Sequence, residues 1–253
     1  MRRVLLSFFL VCSSMIAPAQ TWEVGGFAGS SGYMGDINPE KPYLFTDIAF
    51  GGQIKRNFDG YWSLRFNAVH GKIQASDAAS SNEWQQQRNL DFYSPLTEVS
   101  LLTEFNFFKY HASLERKYSP YLFAGIGGAV FNPKTMLGGE EYQLQYYNTE
   151  GVTYRPYAIA IPYGAGIKYN ITGNWNLAAE IGYRTAFSDY LDDVSTVYPD
   201  RTTLASPEAR QLSDRSALSI PAGVQRGDFR KRDTYMFVGL SLSFTFVTQK
   251  CYF

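Results

Sequence analysis

The chain has 253 residues, with 23 Lys and Arg against 23 Asp and Glu, and a mean hydropathy of −0.23. That balance leaves no basic surface for a nucleic-acid binder, and two cysteines exclude a disulfide-built scaffold. Aromatic residues make up 17% of the chain, with 19 Tyr and 19 Phe, an excess expected where rings form girdles at two membrane interfaces.

Residues 1–20 read as a secretory signal peptide, with Arg2 and Arg3 at its start, an apolar body and the small-residue stretch Ala17-Pro-Ala19. Cys12 follows Val11, where a lipid-attachment motif wants a small residue, so lipidation is not expected. Loss of the leader leaves 21 basic against 23 acidic residues and a single cysteine, Cys251, which then has no intrachain disulfide partner. Residues 21–253 form one β-domain.

The first strand spans Trp22 to Gly29, with Trp22, Val24 and Ala28 on one face and Glu23 and Phe27 on the other. A loop containing Gly32-Tyr-Met-Gly-Asp-Ile37 follows. The second strand runs from Thr46 to Phe58, with Ile48, Phe50 and Ile54 opposite Gln53 and Lys55, and Asn57-Phe-Asp-Gly60 is a tight turn. The third, Tyr61 to Ile73, sets Leu64, Phe66 and Ala68 against Arg65 and Asn67. A polar stretch from Gln74 to Pro95 leads to the fourth, Leu96 to Phe108, where Val99, Leu101 and Phe105 oppose Glu98, Ser100 and Glu104. After a shorter link, the fifth, Pro120 to Asn132, is apolar on both faces, and alternation alone does not assign its inside.

A long loop, Pro133 to Arg155, precedes the sixth strand, Ile159 to Ile171, in which Lys168 stands out of phase with the apolar set and Pro162 weakens the first half. Thr172-Gly-Asn174 is a minimal turn. The seventh strand, Trp175 to Ala186, alternates Leu177, Ala179 and Ile181 with Asn176, Glu180 and Arg184. The longest loop, Phe187 to Asp233, then gives way to Thr234–Phe246, whose Met236, Val238, Leu240, Leu242, Phe244 and Phe246 occupy every second position.

Connections alternate long and short over eight strands, and several strands set an apolar face against one that bears lone charges. The expectation is an all-β fold: an eight-stranded antiparallel up-and-down transmembrane barrel of the outer membrane, of the small OmpA/OmpX kind, with short periplasmic turns. The rival is a soluble lipocalin-like barrel, with its apolar face inside. In the membrane reading both ends of the mature chain are periplasmic, and no peptidoglycan-binding tail is expected.

Eight charged residues then face the lumen: Glu23, Lys55, Arg65, Glu98, Glu104, Lys168, Glu180 and Arg184. An eight-stranded barrel is only wide enough for side chains to fill, and charges withdrawn from water need partners, so an ion-paired plug is expected rather than an open pore.

No catalytic residue, metal ligand or cofactor is expected. His70 lies on the lipid side near the external rim and His111 in the link after the fourth strand, at opposite ends of the barrel, which disfavours Ser–His chemistry and a lipid-modifying enzyme. Asp189-Tyr-Leu-Asp-Asp193 lacks the spaced oxygens of a calcium loop and reads as the start of a short helix or turn with carboxylates facing water. Gly125-Ile-Gly-Gly128 sits in a strand with no helix after it, so it is no phosphate cradle. Arg226-Gly-Asp228 matches an integrin-binding tripeptide that recurs by chance; Arg226, Arg230, Lys231 and Arg232 are expected to meet anionic lipopolysaccharide.

The segments Gly32-Tyr-Met-Gly-Asp-Ile37, Ser119-Pro-Tyr-Leu-Phe-Ala-Gly-Ile-Gly-Gly128, Asp189-Tyr-Leu-Asp-Asp-Val194 and Thr234-Tyr-Met-Phe-Val-Gly-Leu-Ser-Leu242 resemble the PorG family across the mature chain. The resemblance implies a non-enzymatic outer-membrane barrel of the type IX secretion system of Bacteroidota, associated with the periplasmic ring of PorK and PorN. Contact with such a ring would fall on the link carrying Lys109, Arg116 and Lys117 and on the tail carrying Cys251, whose odd thiol is open to intermolecular pairing. The alternative is a surface adhesin or host-factor binder working through the loops at 74–95, 133–155 and 187–233.

Overall fold

A computed structural model describes residues 21–110 and 117–246. The leader 1–20, His111, Arg116 and the tail with Cys251 lie outside the described residues.

Eight strands close into one antiparallel ring: β1 (Thr21–Met34), β2 (Phe45–Asn57), β3 (Trp62–Ser76), β4 (Asp91–Asn106), β5 (Tyr118–Phe131), β8 (Tyr157–Thr172), β9 (Trp175–Ala186) and β10 (Thr234–Phe246). Each pairs with its neighbour in sequence, β1 pairs with β10, and β3 with β4. The hairpin of β6 (Lys134–Leu137) and β7 (Glu140–Gln143) stands outside the ring, joined to β4 through Tyr93 and Lys134. Two short helices, α1 (Glu83–Arg88) and α2 (Pro207–Ser213), lie in the long external loops. α1 is capped by Asn82, which accepts from the Trp84 amide, and α2 by Ser206, with proline at its start.

The alternation settles which face is wet. Val24, Ile54, Phe66, Leu101, Leu122, Ile167 and Leu242 are exposed on the outside, while the intervening side chains are buried in the lumen. Trp22, Trp62 and Trp175, three of the four tryptophans, sit at the short-turn end, with Phe246, Phe105 and Phe244 as their cross-strand partners. An apolar band with an aromatic girdle around a polar interior is the architecture of the outer membrane, and the protein is an outer-membrane barrel. The soluble alternative, with its apolar face inside, is set aside.

The strands run to 13–16 residues in most cases, longer than the roughly 9–11 needed to span a bilayer. The excess is external. β1 continues five residues past Gly29, and β4 begins five before Leu96. In each, the partner extends the strand: Ser30–Met34 pairs with Thr234–Val238, and Asp91–Pro95 with Lys72–Ser76. Pairing across the barrel overrides the local turn composition.

The face of β5 that alternation left open is also decided: Tyr121 and Phe123 point inward and Leu122 and Ile126 outward. Opposite them, Gly164, Gly166 and Gly182 leave the room these rings occupy. A Cβ on Gly164 would meet the Phe123 ring at 2.5 Å and the Ile181 carbonyl at 2.2 Å. Gly164→Val should therefore cost about 1–3 kcal/mol of stability by overpacking, read as a lower urea midpoint. An unchanged midpoint would show that the ring moves aside freely. Pro162 stays within β8, but the β5–β8 ladder skips it, pairing Ala124 with Tyr163 and next Gly127 with Ala160, because proline has no amide to donate.

Candidate functional site

The sequence distributes eight charges over six strands, and barrel closure brings them into one lumen. Lys55 Nζ is 2.9 Å from Glu23 and 3.7 Å from Glu104. Arg65 Nη1 is 3.1 Å from Glu104 and 2.7 Å from Glu180. Lys168 pairs with Glu104 and donates to Asn106 at 3.0 Å. Nearer the external end, Arg184 Nε is 3.1 Å from Glu98, which also accepts from Tyr235 at 2.8 Å and Ser100 at 2.8 Å. Tyr121 donates to Glu180 at 2.8 Å, and Ser243 to Glu23.

Rings complete the cross-section: Phe123 under Arg65, Tyr121 under Lys168 and Phe237 under Arg184, at 5.1, 4.3 and 4.6 Å from charge to ring centre. Four acids face four bases, so the cluster is neutral as a set.

Above the lumen the external loops form a cap. Arg88 of α1 holds Asp77 through two hydrogen bonds, of 2.8 and 2.7 Å, donates to the Asp36 carbonyl at 3.0 Å and to the Arg226 carbonyl. Arg226 in turn pairs with Glu150 at 2.8 Å and donates to the carbonyls of Asp193 and Ser213, at 2.8 and 3.1 Å. An apolar cluster including Ile37, Leu90, Leu144, Leu191 and Leu212 lies beneath. Arg226 is therefore buried and holds the cap together, so it does not face lipopolysaccharide; Arg230, Lys231 and Arg232 are the exposed members of that run.

The segment Asp189–Asp193 forms bends rather than a helix, and its carboxylates at 192 and 193 do not face water: they are 1% and 2% exposed. Asp36, Asp192 and Asp233 each bring a carboxylate oxygen within 4.8 Å of the others'. Burial, reinforced by Asp192, pushes the Asp36 carboxyl up to about 10. Burial also raises Asp192 to about 7, against the hydrogen bond from Tyr33, and raises Asp233 well above the usual carboxylate range. Asp193 is raised to about 6 by burial, opposed by the charge of Arg226. No local pattern marks this grouping, because residues 36 and 192 are joined only through the fold.

His70 is exposed on the outer face, within 2.9 Å of the Thr97 hydroxyl and beside Phe50. At the opposite rim, Lys109 and Lys117 are exposed at the two ends of their link.

A family model described as "Domain of unknown function (DUF6089)" matches residues 2–253. No curated protein matches the chain. Among solved structures, the N-terminal β-barrel domain of OprF from Pseudomonas aeruginosa is 13% identical at a TM-score of 0.42, over 90% of this chain and 98% of that one. The outer membrane protein OprG from Pseudomonas aeruginosa is 11% identical at 0.41, over 89% and 96%. Ail, the attachment invasion locus protein of Yersinia pestis, is 12% identical at 0.37, over 90% and 97%. These likenesses concern the barrel fold alone.

Proposed function

The chain belongs to the DUF6089 family, and from that premise we propose that it is a non-enzymatic barrel subunit of a type IX protein secretion machine, anchored in the outer membrane and touching a periplasmic ring of PorK and PorN type. The observation that carries this reading is the lumen. Its eight charges are paired across the barrel and its rings fill the remaining section. A bore filled this way serves as an ion-paired plug, and a plugged barrel acts through its faces. The PorG resemblance supplies the particular machine. Deleting the gene should abolish secretion of many unrelated proteins; normal secretion in the deletion strain would end this reading.

On the periplasmic side, the turns 58–61 and 173–174 present little surface. Lys109 and Lys117 in the link between β4 and β5 are exposed, and Arg116 adds a third basic residue to its sequence. Reversing charge at all three to Glu should reduce co-purification of the ring proteins severalfold while the barrel still assembles. Cys251→Ser tests whether an intermolecular disulfide contributes. Parental recovery of the ring with both variants would move docking elsewhere.

A second reading, a surface adhesin, is favoured by a specific observation. Tyr43, Tyr146, Leu218 and Phe229, all in external loops, are more than half exposed, Tyr146 at 72%. Loops presenting apolar side chains suit protein contact. Loss of surface binding with normal secretion in the deletion strain would select it. The exposed Arg230, Lys231 and Arg232 remain the segment proposed to meet lipopolysaccharide.

A further inference from the structure

We propose that Asp36, Asp192 and Asp233 bind a calcium ion within the external cap, tying the loop after β1 to the loop before β10. Three observations converge. The three carboxylates are 2%, 1% and 1% exposed, and one oxygen from each falls within 4.8 Å of the others. Oxygens bound to calcium at about 2.3–2.6 Å lie no further apart than the diameter of that sphere, about 5 Å. The three atoms thus meet the spacing that one shared ion requires.

The second observation is independent of the clustering. Asp36 Oδ2 is buried and has no hydrogen-bond partner among the described residues, although the other oxygen of the same side chain accepts from the Asp228 amide. A buried carboxylate oxygen left without a donor is costly, and a cation is the partner that satisfies it. Asp192 and Asp233 each accept one backbone amide, from Val194 and Leu191 at 3.0 Å. Their other oxygens share the Tyr33 hydroxyl, at 2.6 and 3.1 Å, so one phenol proton serves two carboxylate oxygens. The nearby arginines are engaged elsewhere, Arg88 with Asp77 and Arg226 with Glu150. Among the described residues, no lysine or arginine forms an ion pair with Asp36, Asp192 or Asp233.

The third is close approach. A Cβ on Gly35 would stand 2.0 Å from the Tyr33 hydroxyl and 2.1 Å from Asp233 Oδ1. Glycine at 35 thus lets the backbone beside Asp36 lie directly against Asp233 and the phenol. The donor set is all oxygen, carboxylate and phenol, which is the chemistry of a hard cation. Calcium accepts irregular protein oxygens, whereas magnesium demands a tighter octahedron and holds its waters. The site faces the outside, where a dissociation constant of about 0.1–1 mM, usual for extracellular modules, suffices for occupancy.

The test uses the full folded chain in detergent micelles, freed of metal with a chelator. Titration with calcium chloride, followed by calorimetry and by protease resistance of the external loops, should show saturable binding and protection. Asp36→Asn and Asp233→Asn should each weaken calcium binding at least tenfold. Heat-modifiable gel migration confirms that each variant still closes its barrel. If one variant does not fold, the titration of the parent and the remaining variant decide. Absence of any response to calcium at about 10 mM, ten times the weakest expected constant, would overturn the proposal. So would an equal response to magnesium, or undiminished binding in both variants.

Discussion

Glu104→Gln is expected to destabilise the folded barrel by about 3–5 kcal/mol, the range for removing one partner of a buried ion pair. Glu104 is fully buried and meets Lys55, Arg65 and Lys168. Two of these keep a second carboxylate, Lys55 with Glu23 and Arg65 with Glu180. Lys168 keeps no other acid at contact distance and is left with the Asn106 side chain. The substitution also leaves the lumen with four bases against three acids.

The penalty comes from uncompensated charge rather than from lost attraction, which sets the control. Glu104→Gln combined with Lys168→Gln restores the balance and should recover most of the loss, since replacing a whole buried pair is often near neutral. Urea unfolding in detergent measures both. Equal midpoints for parent, single and double variants would show that water in the lumen screens these charges.

Arg88→Leu should open the cap and leave the barrel closed. Arg88 bridges three loop segments through Asp77 and the carbonyls of Asp36 and Arg226. Asp77 is 0% exposed. Burial raises its carboxyl and the guanidinium of Arg88 counters this, so without the arginine it keeps mainly the Leu90 amide at 2.9 Å. The same range of about 3–5 kcal/mol here falls on the cap alone. It raises the open population by at least about a hundredfold, at 1.4 kcal/mol for each factor of ten. Limited proteolysis should then cut within 77–90 and 196–230 while gel migration stays that of the folded barrel. Parental resistance would mean that Arg226 and the apolar cluster hold the loops without Arg88.

The sequence determined the barrel and the facing of most of its strands, because a period of two fixes which side chains share a face wherever one face is apolar. Leu64, Phe66 and Ala68 against Arg65 and Asn67 leave one assignment in a bilayer. Alternation of long and short connections set strand number and the sidedness of the turns. The same reasoning put all eight charges on the polar side, since each stands out of phase with the apolar residues of its strand.

Where both faces were apolar, as in β5, the period carried no information. There the glycines of β8 and β9 decided, by leaving room for Tyr121 and Phe123. The partners within the lumen were likewise a matter of register, because Arg65 reaches Glu180 across 115 residues of chain. The cap belongs wholly to the tertiary structure. Asp189–Asp193 and Arg226 read locally as solvated loop charges, and only packing of four loops over the barrel mouth buries them against one another. Loop charge is set by local sequence, but its burial depends on which distant segments fold over it.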